Sequence, residues 1–360
     1  MRPARSALTA ALLLAAAPLL AQEERFSDTT SITTIEVPVA VELAGKAVTG
    51  LTVDDFEVYD EGRRVPITGF EEVRVDAAAT AHPGRDPWRA RTLVFLLDFA
   101  WSHPYRLEES LDALAEVFAR ENLLGPGDRV GLMGWSATQG LLTFLEPTAN
   151  RLELAYSIVL ARAVAQSDPQ ATGDALAQLP ARDAERLLAE SRLSGFNRNS
   201  TFFPVGPATE LFADDVSGLF ERATYPGAKI LVHLSSGMSD DYLEAGDFDR
   251  PRVLGNFERI LVAGRRTGWA IHSVNLSGLG FGTDTQLLLA KDTGGRLHTN
   301  SNDLALLVEE AERSTRSFYL LAFEPQTTGG SHGFRQLKVK VRNAPGGTQV
   351  RHRWGYENAE

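Results

Sequence analysis

Apolar and polar positions change rhythm along this chain. From Thr34 to Val41 they alternate, with Ile35, Val37, Val39 and Val41 apolar, which is the period of a strand with one buried face. Phe56, Val58, Val65 and Ile67 predict two more strands around the Asp60-Glu61-Gly62 turn. Residues 30–75 therefore read as a small β segment of about three strands. Residues 76–90, rich in Ala, Pro and Gly, read as a linker.

The rhythm then switches to continuous apolar runs separated by helical periods. Leu93 to Leu97 is uninterrupted and ends at Asp98, as expected of a strand buried on both faces of a parallel sheet. Pro104 stands at a helix start, and Leu107, Leu111, Leu114 and Phe118 follow at helical spacing. Val130–Trp135, Leu141–Leu145, Ile230–Leu234 and Ala270–Leu276 read as strands. Helical patterns cover 150–165, 181–193, the region of Phe257 to Leu261, Leu287–Leu289 and Leu304–Val308. Residues 91–315 thus predict an α/β domain with a doubly wound, mostly parallel sheet carrying helices on both faces. Residues 166–206 are polar and fit this pattern least, so they read as a surface insertion. The last stretch, 316–356, returns to strands at Phe318–Phe323, Leu337–Val341 and Val350–Trp354. Three strands make no comfortable domain alone, so the two flanking β segments are expected to pair into one β-sandwich.

The first 21 residues stand apart. Arg2 and Arg5 precede an apolar run from Ala10 to Leu20, the pattern of a secretory signal peptide. The run is shorter than the roughly 20 residues a spanning helix needs, and no other segment is long enough, so no transmembrane segment is expected. An exported protein, periplasmic or secreted, follows from this reading. It has no cysteine, which removes thiolate catalysis and cysteine-based metal sites. With 36 basic and 47 acidic residues the formal charge is −11, and no Lys/Arg cluster marks a nucleic-acid face.

In an open α/β sheet, ligands sit beyond the carboxyl ends of the strands. Two such ends carry oxygen donors: Asp98-Phe-Ala-Trp-Ser102, and Ser235-Ser-Gly-Met-Ser-Asp240-Asp241. Oxygens converging there suit a hard divalent cation. The pattern resembles the A domain of von Willebrand factor and integrins, whose metal-ion-dependent adhesion site begins Asp-x-Ser-x-Ser. More closely, the chain is similar to the VWFA-related proteins of Acidobacteria. Val48-Thr-Gly-Leu-Thr-Val-Asp-Asp-Phe-Glu-Val-Tyr-Asp-Glu-Gly62, Ser317-Phe-Tyr-Leu-Leu-Ala-Phe-Glu-Pro325 and Arg351-His-Arg-Trp-Gly-Tyr356 carry that resemblance.

The resemblance implies an adhesion-type binding protein, not an enzyme, which meets a protein or an extracellular polymer through the top of the A domain. It places Asp98 and Ser102 at the first and last positions of the metal motif, Thr209 at the distal threonine and Ser236 where an aspartate is usual. Ala100 replaces the middle serine, so the site is degenerate; Asp240 or Asp241 is the acidic residue that would compensate. Such a ligand set holds Mg²⁺ or Mn²⁺ weakly or not at all. Asp98 could equally cap the following helix or bond backbone amides without metal. Trp101 is either an exposed contact residue or a lid packed over the sheet end. A metal-free structural module of an envelope assembly is the alternative reading.

Three other features read as structural. His233 and His272 lie on neighbouring strands but lack a third ligand at zinc spacing, which makes them satisfied core histidines. Ser235-Ser236-Gly237 lacks the first Gly of a nucleophile elbow, so a hydrolase is the weaker alternative. Gly278-Leu-Gly-Phe-Gly282 departs from dinucleotide-binding spacing and reads as a loop.

Overall fold

The computed structural model describes residues 34–74, 90–137, 139–166, 205–237, 250–278, 284–325 and 333–358. The expected signal peptide, most of the 76–90 linker, most of the 166–206 insertion with its 181–193 helix, and Asp240 lie outside them.

Arg91–Asp98 (β6) is buried at every position, because it lies mid-sheet with helices against both faces. Its neighbours are Arg129–Ser136 (β7) and Ala228–Ser235 (β9), both parallel to it. Trp269–Asn275 (β10) and the two-residue Leu297–His298 (β11) extend the sheet beyond β9, again in parallel. Gly140–Thr148 (β8) closes the other edge and is antiparallel to β7. The order is β11-β10-β9-β6-β7-β8.

Successive residues of β6 serve opposite faces, as the pleat requires. Leu93, Phe95 and Leu97 pack with Pro104–Ala119 (α1), Arg151–Gln166 (α2) and Leu304–Arg313 (α6). Val94 and Leu96 pack with Val205–Arg222 (α3) and Arg250–Thr267 (α4). Asp284–Thr293 (α5) adds Leu289 to that second layer. In α1, Leu107, Leu111, Leu114 and Phe118 form the buried stripe; Pro104 is at the first turn, where its missing N–H costs nothing.

The terminal segments interleave. Ile35–Leu43 (β1) pairs antiparallel with Ser317–Phe323 (β12) and with Thr348–Arg351 (β14). Phe56–Asp60 (β3) pairs with Gly333–Val341 (β13). With Lys46–Ala47 (β2), Arg63–Val65 (β4), Ile67–Arg74 (β5) and Gly355–Asn358 (β15) they form two sheets, one ordered β14-β1-β12-β5 with β2 on β1, the other β15-β13-β3-β4. Val37, Val39, Leu321 and Phe323 of one sheet share a core with Phe56, Val58, Leu337 and Val339 of the other. The described segments carry five and four strands, where the sequence suggested about three each. The difference comes from β2, too short to show a period, from the split of 63–74 into two strands, and from Trp354, which lies between β14 and β15 rather than ending a strand.

At the foot of β6, Arg91 is fully buried. It bonds Asp128 Oδ2 through Nε (2.9 Å) and Nη2 (2.7 Å), Glu312 (3.2 Å), the Thr315 hydroxyl (2.8 Å) and the Leu123 carbonyl (3.0 Å). This charge cluster fixes the end of α6 just before the chain enters β12.

Candidate functional site at the sheet switch point

The chain leaves β6 for β7 on one side, while β9 lies on the other. The carboxyl ends of β6 and β9 therefore mark the topological switch point, where open α/β sheets bind ligands. The register puts Leu97 opposite Leu234, so Asp98 and Ser235 are adjacent strand ends.

Asp98 is completely buried. Its Oδ1 accepts the amides of Ala100 (2.9 Å) and Trp101 (3.0 Å), folding the loop back as an Asx turn. Its Oδ2 accepts the Ser235 hydroxyl. Burial pushes the Asp98 carboxyl up to about 6, against the lowering effect of those three donors. Ser235 Oγ also accepts the Gly237 amide at 2.9 Å. One residue on, the Ser236 amide donates to Ser102 Oγ at 3.0 Å, a second tie between the two loops. The Ser236 carbonyl accepts Ser277 Oγ at 2.7 Å, and the Ser235 carbonyl accepts Gln286 Nε2 at 2.7 Å, which brings in the ends of β10 and α5.

Of the residues expected here, the structure brings Asp98, Ser102 and Ser236 together, Ser236 through its backbone. Thr209 is buried on α3, and its hydroxyl accepts Asn256 Nδ2 of α4 at 2.9 Å; it is not among the groups bonded to Asp98. Asp240 lies outside the described residues. Asp98 does not cap α1: that position belongs to His103, whose Nδ1 accepts the Tyr105 amide at 3.3 Å. Trp101 is half-buried, stacked on Trp135 at 4.9 Å and edge-on to Phe212 at 5.5 Å. Trp135 Nε1 in turn bonds Asp215 at 2.9 Å.

Sequence reasoning missed two participants. Ser235, not Ser236, supplies the hydroxyl to Asp98. His233 is not a satisfied core histidine: both ring nitrogens are buried without a hydrogen-bond partner among the described residues. It sits 4.0 Å from Asp98 Oδ2 with its ring against Phe212, and burial pulls its pKa down to about 4, so the two do not form an ion pair. Strand parity was the available signal. Positions 231, 233 and 235 share the face that 94, 96 and 98 share on β6. His272, by contrast, has partners: Nδ1 lies 3.1 Å from Ser314 Oγ and 3.4 Å from His298 Nε2.

No family model matches the chain, and no curated protein does. Among solved structures it is similar to proximal thread matrix protein 1 from the mussel byssus, at 16% identity and a TM-score of 0.36, over 62% of this chain and 48% of that one. It is similar to the pilus adhesin SpaC from Lactobacillus rhamnosus GG at 9% identity and 0.33, over 83% and 47%. It is also similar to the manganese-loaded TRAP protein of Plasmodium vivax at 12% identity and 0.32, over 81% and 98%. The chain spans about half the length of the first two. Likenesses this distant leave the functional reading to the chain's own residues.

At this site the described residues supply the carboxylate of Asp98 and the hydroxyls of Ser102 and Ser235, while Asp240 lies outside them. Mg²⁺ needs near-octahedral oxygen ligands and anionic charge. Both oxygens of Asp98 already accept hydrogen bonds, Ser235 donates its proton to Asp98, and Ser102 Oγ receives an amide. Among the described residues, no three His, Asp or Glu side chains gather in a metal-binding cluster. Among them, too, no helix is long and apolar enough to cross a membrane.

Proposed function

We propose that this chain is an exported binding protein of adhesion type, which presents the carboxyl ends of β6, β9 and β10 to a protein or an extracellular polymer. In this reading the six-stranded sheet and its two helical layers are a doubly wound A-like domain. The observation that carries it is the set of buried polar groups gathered at the switch point with hydrogen-bonding capacity left open, His233 by both nitrogens and Gln286 by Oε1. Buried polar groups are costly unless partnered, and their clustering at a ligand-binding position of this architecture favours recognition there. The reading assigns the chain no reaction. The Ser235 hydroxyl is bonded to Asp98, which also accepts two backbone amides and so serves here to tie the loops together.

A second reading, a metal-free structural module, is favoured by the hydrogen bonds that occupy both oxygens of Asp98. Solid-phase binding of the mature chain to surface-polymer and surface-protein preparations separates the two, with Ser236→Trp adding bulk at the half-buried loop. Loss of binding in that variant supports the top face; unchanged binding moves recognition elsewhere. Calorimetric titration with Mg²⁺ and Mn²⁺ supplies the cation arm. Heat in the wild type that Asp98→Ala abolishes would restore a metal site completed by Asp240 or by a carboxylate of the partner. N-terminal sequencing of secreted material should begin near Gln22, and retention of Met1 would remove export from the proposal.

A further inference from the structure

A cleft of about 790 Å³ opens where the six-stranded sheet meets the five-stranded one, and it shares no residue with the switch-point cluster. Its volume is that of a ligand site. Two edge strands contribute to its walls: β11 through Leu297 and β14 through Gln349, Val350 and Arg351. Among the described residues each is paired on one side only, β11 with β10 and β14 with β1. An edge strand offers backbone donors and acceptors to an added strand.

The side chains define what such a strand would carry. Trp354 and Leu287 stand at the cleft 46% and 48% exposed, large apolar groups left in water. Lys291, Arg296 and Arg351 also line it, with Asp292 as the one acidic residue among its lining. Arg296 (3.1 Å) and Arg351 both lean on Glu42, so two guanidinium groups share one carboxylate. Arg351 Nε and Nη1 and Thr299 Oγ1 are buried without a partner among the described residues. Burial lowers the Arg351 pKa, as expected where a cation is incompletely neutralised. In a chain of formal charge −11 this is a local cationic surplus, lined in part by two edge strands.

We propose that this cleft binds an extended acidic peptide, its carboxylates meeting Arg351, Arg296 and Lys291 and an apolar side chain packing on Trp354 and Leu287. Backbone pairing with an edge strand gives the affinity, and alternate side chains reach the cationic and apolar walls. The charges make association salt-dependent.

The test uses the full mature chain and fluorescence anisotropy. The probe is a labelled octapeptide of alternating Glu and Val, with its Lys-Val counterpart and polygalacturonate as comparisons. The acidic peptide should bind and the basic one should not, with binding weakened by added salt. Lys291→Glu, at an exposed position, should weaken binding about tenfold, the effect of roughly one close charge pair. Trp354→Ala should weaken it as well, with thermal melting confirming that each variant is folded. Equal binding of both peptides, or binding unchanged in both folded variants, overturns the proposal. So does capture of polygalacturonate without the acidic peptide, which would make the cleft a polysaccharide site. Because Ser236 and Asp98 lie elsewhere, these outcomes are independent of the switch-point reading.

Discussion

Asp98 and Ser235 end the two strands that meet at the switch point, and the serine hydroxyl is bonded to the aspartate inside the protein. The folded carboxyl titrates near 6, against an ordinary value of 3.8, so the folded state holds this proton more tightly than the unfolded chain. Its contribution to stability is therefore complete below about pH 4 and lost as pH rises through 6. The loss is roughly 2–3 kcal/mol, two pKa units at about 1.4 kcal/mol each. Asp98→Asn keeps an acceptor for the two amides and cannot ionise. The stability of the wild type relative to this variant, from urea unfolding, should fall by that amount between pH 4 and 7.5. A difference that stays flat would mean Asp98 is solvated.

His233 works in the opposite sense. Burial depresses its folded pKa to about 4, below the ordinary 6.5, so stability present above 6.5 is lost as pH falls toward 4. Asp98, 4.0 Å away, gains its proton near pH 6, before His233 would be charged, so it offers no compensating ion pair on acidification. His233→Phe places a similar ring against Phe212 and removes two unpartnered nitrogens. The variant should match or exceed the wild type at pH 8 and exceed it by up to about 3 kcal/mol near pH 4. Thermal melts across that range check this, and parallel pH profiles would refute it.

What was legible in the sequence follows from how local each signal is. β6 was visible because Leu93 to Leu97 has no polar break, which only a strand covered on both faces tolerates. α1 was visible because its stripe and its Pro104 start agree. The direction of β8 was not, since alternation is the same in a parallel and an antiparallel edge. β11, with two residues, has no period. At the site, motif spacing selected Ser236, whereas the pleat of β9 points Ser235 at Asp98. Thr209 bonds to Asn256, 47 residues away on another helix, a relation no local pattern carries.

Where the two terminal sheets share a core, Tyr319 of β12 has its hydroxyl between the two backbone groups that shape the 48–51 turn. It donates to the Val48 carbonyl at 2.9 Å and accepts the Leu51 amide at 3.1 Å. Tyr319→Phe keeps the ring contacts with Phe56 and Phe70 but strands both backbone groups. The cost should be about 1–3 kcal/mol, with proteolysis rising first in residues 48–51. An unchanged cleavage pattern there would show that the turn holds without the hydroxyl.

Arg91 ties the start of β6 to Asp128, just before β7, and to Glu312 and Thr315 at the end of α6. Its guanidinium and the carboxylates of Asp128 and Glu312 are essentially without solvent. A pair this deep contributes little net stability compared with a packed apolar substitute, because desolvating the charges offsets their attraction. Removing one partner is different, since it leaves the others charged and buried. Arg91→Met should cost about 3–5 kcal/mol, as Asp128 loses both its guanidinium bonds. Glu312 would keep Arg316 Nε, at 3.0 and 2.9 Å, so Asp128 is the more exposed to the loss. The double variant Arg91→Met with Asp128→Leu should recover part of the deficit, because no unpaired charge is then left at that position. Chemical unfolding of the two single variants and the double separates the terms. If the double variant is as unstable as the sum of the singles, the cluster acts through side-chain packing and not through charge.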